Sequence, residues 1–360
     1  MKVSNLVLGI FLLFSISILV FSLIGCGGGA AGVTTTTGGG GGGTTTTSTS
    51  GGGGNYTTLP LPTTTTLLPT SFSWSQATSS AAFPARQGLG CVSYNNKLWV
   101  MGGLQGSTYY NDVWSSSDGV TWTQATAEAA FSKRYAVACV VHNDGVSNKM
   151  WLIGGYDRAS LDYLNDVWSS ADGVTWTLVT GEAGFSKRQS HAAVDFGGKL
   201  WVIGGLDPNP KNDVWSSTDG ITWTRATASA GFSGRYNHAS VVFGGKLWVM
   251  GGFNGGYTLG DIWSSSDGVA WTEVNYFAVP LREGFCAVDY NSQLWVIGGQ
   301  NGATHYNDAW YSTDGGAWTA TTSPAIFSAR YGHAGAVLNN KIWVIGGYEN
   351  SEKNDVWSGQ

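Results

Sequence analysis

"SFSWSQAT", residues 71–78, stands between a threonine-rich stretch and the first segment with a folded pattern, and it returns almost letter for letter as "VTWTQAT" at 120–126. The later copy ends a longer unit, whereas the earlier copy has no unit before it. Tryptophan counting explains the displacement. Trp99, Trp151, Trp201, Trp248, Trp295 and Trp343 lie in apolar runs that end in a double glycine. Trp114, Trp168, Trp215, Trp263, Trp310 and Trp357 lie in segments such as "NDVWSS". Trp122, Trp176, Trp223, Trp271 and Trp318 lie in segments such as "VTWT", and this set has five members because the sequence stops at "NDVWSGQ". Trp74 supplies the sixth, so all 18 tryptophans fall into three sets of six. "FSWSQAT" is therefore expected to be the outermost strand of the last unit, donated from the N-terminal side to close a ring. Closure removes the sheet edges that an open array would expose.

The double glycines stand at 102–103, 154–155, 204–205, 251–252, 298–299 and 346–347, a period near 50 residues. Each copy reads as four short strands. The first begins at an arginine, as in "RYGHAGAVL" (330–338), and a two-residue turn such as Asn95-Asn96 or Gly197-Gly198 follows. Such pairs tolerate the positive φ of a tight hairpin. Next comes "KLWVIGG" (199–205), apolar on both faces as a sandwiched strand must be; then a loop, "NDVWSS", an Asp-Gly turn and "VTWT". No helical pattern of useful length occurs. On these motifs residues 72–360 resemble the kelch family of β-propellers. The resemblance implies an all-β fold: a six-bladed β-propeller of four-stranded antiparallel blades, with Trp74 in the last blade. The turn "SSSDGVTW" (115–122) is also similar to the sialidase Asp-box. Here, however, glycine follows aspartate directly and tryptophan comes one place early, and the double glycines favour kelch.

Ahead of the repeats, "MKVSNLVLGIFLLFSISILVFSLIGCGGG" has one early lysine, an apolar run and then small residues. A retained membrane anchor competes with a cleaved signal peptide. "LIGC", Leu23 to Cys26, resembles the bacterial lipobox, which implies a signal peptide over 1–25, lipid on Cys26 and export to a bacterial membrane. Gly27 in place of aspartate resembles lipoproteins of the outer membrane or cell surface. Residues 26–71 are Gly- and Thr-rich, a flexible linker by composition, with a reach of roughly 35–40 Å. Charged residues make up 11% of the chain and the net charge is −5. Without a Lys/Arg cluster the composition excludes a nucleic-acid binder.

A residue needed in every blade is expected to hold the blade; chemistry needs one copy. By that test the tryptophans and Asp112, Asp166, Asp213, Asp261, Asp308 and Asp355 are scaffold. Arg86, Arg134, Arg188, Arg235, Arg282 and Arg330 begin the strands that the resemblance places nearest the axis. They are candidates for an anion-attracting mouth, but pairing six with six with the repeat aspartates is the favoured reading, since unpaired buried charge is expensive. Alternating strand direction puts tight hairpins on one face and all variable loops on the other. Tyr110, Tyr135, Tyr163, Tyr236, Tyr257, Tyr306, Tyr331 and His305 belong to the loop face, which makes that face the candidate binding surface. His191, His238 and His333, three residues after the arginine, are weighed as metal ligands against a packing role; no metal and no cofactor is assigned. Cys91, Cys139 and Cys286 read as buried packing residues, and a bridge between blades is not expected.

Some propellers resembling this one are enzymes, among them galactose oxidase and sialic-acid mutarotases. A set of copper ligands is not found. For acid–base chemistry Glu283 is the first candidate, with Asp157 and Asp162 behind it. The expected function is a membrane-tethered, extracytoplasmic binding module for a protein or glycan; the alternative is a carbohydrate-active enzyme of the mutarotase type.

Overall fold

A computed structural model of the chain describes residues 72–275, 279–321 and 325–360. The signal peptide expected over 1–25, the lipidated Cys26 and the linker over 26–71 lie outside the described residues. Thr66–Gln360 forms one compact unit, and its described part is built of strands and turns.

Six antiparallel sheets of four main strands follow one another along the chain. Blade 1 runs outward from the axis as Gly90–Tyr94, Lys97–Met101, Val113–Ser116 and Thr123–Thr126. Blades 2 to 5 repeat this order from the innermost strands Ala138–Asn143, Ala192–Phe196, Ala239–Phe243 and Cys286–Tyr290. Blade 6 joins Ala334–Leu338, Lys341–Ile345 and Val356–Gly359 to Trp74–Thr78. Each innermost strand packs beside the next, and the last packs beside the first, so the ring closes.

The borrowed strand occupies the place that the tryptophan count assigns to it. Trp74 lies opposite Gly359, and Thr78 opposite Val356 across a bulge; blades 1 to 4 carry the same irregularity between third and fourth strands. Trp74 meets Phe327 edge-on at 5.1 Å. The equivalent pairs Trp122–Phe83, Trp176–Phe131, Trp223–Phe185 and Trp271–Phe232 stand at 5.0 to 5.2 Å. Two departures mark the seam. In blades 1 to 5 the fourth-strand tryptophan Nε1 donates to the carbonyl of its own turn glycine, Gly119, Gly173, Gly220, Gly268 or Gly315. Trp74 has serine, not glycine, three residues before it in the sequence, and its Nε1 has no partner among the described residues. Those turn glycines also seat the second-strand tryptophan of the preceding blade: a Cβ on Gly119 would stand 2.0 Å from the Trp343 ring. Trp295 of blade 5 meets Phe72 instead, ring centroids 4.4 Å apart. Phe72 therefore covers the Trp295 ring where a turn glycine covers the other second-strand tryptophans.

Apolar side chains form six clusters between successive sheets, each holding buried Trp, Leu, Ile or Val from two neighbours. Every buried indole removes on the order of 150–250 Å² from water, which makes these layers the main source of stability. In blades 1 and 3 to 6 the hairpins between first and second strands hold left-handed pairs such as Asn95 (φ 48°) and Asn96 (φ 56°), as their composition requires. These hairpins form one face. The long loops form the other, and Phe72 enters on the hairpin face, since Trp74 pairs with the end of the strand that runs there.

Candidate functional site

The six repeat arginines are at most 1% exposed. Each guanidinium grips the repeat aspartate of its own blade with two bonds of 2.6 to 2.9 Å: Arg86 with Asp112, Arg134 with Asp166, Arg188 with Asp213, Arg235 with Asp261, Arg282 with Asp308 and Arg330 with Asp355. Nη1 also donates to the carbonyl of the first glycine of the pair at 2.8 to 3.1 Å. The third-strand tryptophan two residues on donates to the same carboxylate. Burial alone would raise the Asp213 and Asp261 carboxyls, but the arginine hydrogen bond and charge outweigh it and hold both below their usual value. The aspartate pairing favoured from the cost of buried charge is thus the arrangement found, and only the reading of the six arginines as an anion-attracting mouth is corrected, because their guanidinium groups are sealed inside the blade.

What the arginine does present is its backbone. The second glycine of each pair donates its N–H to the arginine carbonyl of the next blade, and Gly347 reaches Arg86 to complete a circle of six bonds at 2.8 to 2.9 Å. Both glycines have positive φ, and a Cβ on Gly102 would stand 3.0 Å from the Arg134 carbonyl oxygen. No larger residue fits this approach. A second circle lies two residues after the arginine. Gly88 donates to Gly332, Gly332 to Gly284, Gly284 to Asn237, Asn237 to Ser190, Ser190 to Ala136 and Ala136 back to Gly88, at 2.7 to 3.1 Å. All six residues are left-handed, including Ala136 (φ 54°), Ser190 (φ 53°) and Asn237 (φ 53°). This circle, with Leu89, Val137, His191, His238, Phe285 and His333, lines an axial cavity of about 180 Å³.

Between the two circles sits the residue after each arginine: Gln87, Tyr135, Gln189, Tyr236, Glu283 and Tyr331. Each pairs antiparallel with the residue after the double glycine: Leu104, Tyr156, Leu206, Phe253, Gln300 and Tyr348, respectively. Five of these bridges carry two backbone bonds apiece, at 2.8 to 3.2 Å. They fix side chains around the loop-side mouth on rigid backbone. Tyr135 packs with Tyr109 at 5.3 Å and Tyr156 at 5.8 Å, and Tyr156 with Tyr163 at 5.7 Å. Tyr331 packs with His305 at 5.2 Å and Tyr348 at 5.5 Å, and Tyr236 with Phe253 at 5.6 Å.

The structure thus gathers Tyr135, Tyr163, Tyr236, Tyr331 and His305 near the mouth. Tyr110 and Tyr306 instead lie over buried guanidinium groups, at 4.1 Å from Arg86 and 4.8 Å from Arg282. Tyr257 stands 59% exposed at a loop tip. Asp157 and Asp162 face each other across the blade 2 loop, where Asp157 caps the Ala159 N–H and Asp162 binds Lys187 at 2.6 Å. Glu283 belongs to blade 5, across the ring, and accepts from Asn237 at 3.0 Å and Gln300 at 3.4 Å. The three carboxylates do not form one acid–base set. Gln87, Gln189, Gln300, Tyr109, Tyr156 and Tyr348 are mouth residues that sequence reading missed. Their offsets from the arginine and the double glycine could have found them.

His191, His238 and His333 are buried and pack against the first glycine of the preceding blade, and no group of three metal-ligating side chains occurs among the described residues. Burial first, then the arginine of the same blade, pushes each imidazole down to about 3. His142 differs. Its Nε2 meets the Thr218 carbonyl at 3.1 Å and its Nδ1 lies 3.3 Å from Asp195, both in blade 3. Cys91, Cys139 and Cys286 are free thiols. Burial pushes Cys91 and Cys286 up to about 12, so they are inert at neutral pH. A larger cleft of about 470 Å³ opens between blades 2 and 3 on the hairpin face, but its aspartates are engaged: Asp172 and Asp219 tie their turns, and Asp144 binds Lys149.

Comparison with protein families agrees with this geometry. Residues 85–115 match the kelch motif, residues 116–278 match the KLHDC2/KLHL20/DRC7 kelch-repeats domain, and residues 275–360 match the DUF6242 beta propeller domain. Residues 72–360 form a kelch-repeat six-bladed β-propeller. No curated protein matches the chain.

Proposed function

We propose that this propeller is a binding module, held outside the cytoplasm through a lipid on Cys26, which recognises a protein or a glycan through the mouth on its loop face. A kelch propeller is in general a binding scaffold, and partner proteins are its usual ligands. The observation that carries the reading is the mouth itself: three tyrosines, two glutamines and a glutamate, one per blade, each anchored on a backbone bridge. Phenol rings and amides on a rigid frame bind at low entropic cost. The linker and "LIGC" support the tether, and Phe72 enters on the face away from the mouth.

The test is a screen of the full chain against protein and glycan arrays. Tyr135→Ala and Tyr331→Ala should each weaken a hit at least tenfold, while Val120→Ser and Val174→Ser on the hairpin face should leave it intact. The opposite pattern would move the site to the other face.

A further inference from the structure

Charge on the loop face is unevenly matched. Around blades 1 to 3 three of the loop-face carboxylates are held by lysines: Glu128 has Lys133 at 3.6 Å, Asp162 has Lys187 at 2.6 Å and Asp207 has Lys211 at 3.7 Å. Around blades 5 and 6 the match fails. Glu349 has Lys353 at 3.3 Å. Glu283 has only the amides of Asn237 and Gln300, and Glu352 only the Gln87 amide at 3.4 Å and the Gly106 N–H at 3.1 Å. Among the described residues neither lies within ion-pair distance of a lysine, arginine or histidine. Arg282 and Arg330, the nearest guanidiniums by position, are consumed by Asp308 and Asp355.

Tyr331 stands within the field of both glutamates. Its phenol is raised first by burial, then by Tyr348, Glu283 and Glu352; Tyr236 is raised by burial and then by Glu283. Rings with a negative face, set beside carboxylates held by neutral donors, form a surface complementary to positive charge. An anionic partner would be repelled there. A neutral glycan would leave both carboxylates unmatched.

We propose that this sector of the mouth docks a positively charged side chain, a lysine ammonium or arginine guanidinium carried by a basic polypeptide segment, against Tyr331 and toward Glu283 and Glu352. The proposal rests on the loop-face reading above and narrows its partner to a basic protein.

Calorimetric titration of the full chain with deca-lysine, with its fully Nζ-acetylated form and with spermine, in low and in physiological salt, tests it. Deca-lysine should bind, more weakly as salt screens the glutamates, and at least tenfold better than either other probe. The Glu283→Gln/Glu352→Gln double variant removes both charges, keeps an acceptor oxygen at each position and should lose at least tenfold in affinity. The Glu128→Gln/Glu182→Gln double variant, an equal loss of charge on the blade 1 and 2 side, should not. Failure of deca-lysine to bind, equal binding of the acetylated form, or full affinity in the double variant overturns the proposal. Spermine binding as tightly as deca-lysine overturns the polypeptide assignment in favour of a small amine. An array hit that Tyr331→Ala abolishes and the double glutamate variant leaves unchanged would uphold the loop-face reading while removing this one.

Discussion

At the residue scale the repeat unit is an arginine with most of its donors assigned. Its planar fork matches the aspartate with two bonds, Nε and Nη1 reach backbone carbonyls, and in four blades Nη2 also reaches a serine hydroxyl, so a buried pair that would otherwise be costly is well satisfied. Removing the arginine leaves a buried carboxylate held only by the indole N–H of its own blade. Arg235→Ala should therefore destabilise the protein by about 3–5 kcal/mol, read as a lowered urea midpoint with an unchanged transition slope. A loss under 1 kcal/mol would mean that Asp261 finds another partner. The arginines also show a limit of sequence reading: six guanidiniums near an axis fit an anion site, although the cost of unpaired buried charge favours an internal ion pair. Which applies depends on whether the "ND-W" carboxylate lies within 3 Å, a distance between strands that are about 26 positions apart. Ala136 gives the reverse test. It holds φ at 54° because its N–H and C=O are committed to the axial circle. Ala136→Gly should stabilise by about 1 kcal/mol, since glycine takes this conformation without the Cβ penalty; a destabilised variant would refute the strain.

At the element scale the decisive piece is Trp74–Thr78. It is short, polar on its outer positions and separated in sequence from every strand it could pair with, so local propensity does not place it. The repeat count does, because five "VTWT" strands require a sixth. The reading stops at Phe72, whose role depends on serine, not glycine, standing three residues before Trp74 and on Trp295 needing cover. Trp74→Ala should cost about 3–5 kcal/mol, seen as a fall in the chemical denaturation midpoint, and Phe72→Ala should destabilise in the same direction. Unchanged stability in both variants would show that blade 6 is held without the seam. The double glycines are another case of partial legibility. Their period announces the blades, whereas their reason, an N–H donated across the gap to the next arginine carbonyl, belongs to the contact between blades.

At the scale of the whole molecule the ring couples its blades through two closed circles of backbone bonds and six apolar layers, so it should unfold as one unit. Acid should reveal how. His191, His238 and His333 are neutral and buried, with folded values pushed down to about 3, below the ordinary value of about 6.5. The unfolded chain then binds more protons below pH 6.5, so this stability is complete above that pH and is lost as pH falls toward 3. Each imidazole contributes a slope of about 1.4 kcal/mol per pH unit. His142 has the opposite sign: burial opposes its charge, but the bonds to Asp195 and Thr218 raise its value, so it adds stability below the ordinary histidine range. Denaturation midpoints from pH 7 to 4 should fall steeply, and His238→Leu, the residue type of blade 1, should flatten the fall by about a third, in line with one titrating group of three. An unaltered slope would place the acid sensitivity elsewhere. The amino-acid sequence by itself determined the number of blades, their strand order, the turn residues and the face that carries variable loops, because all of these are written in a period of near 50 residues and in the local demands of turns and sandwiched strands. Only the tertiary structure decided that the arginines are sealed inside, that the mouth belongs to the residues one step beyond them, and that Glu283 and Glu352 stand without a cation. Those facts depend on which groups from different blades come within a few ångströms of one another, and repetition along a chain carries no distance between its copies.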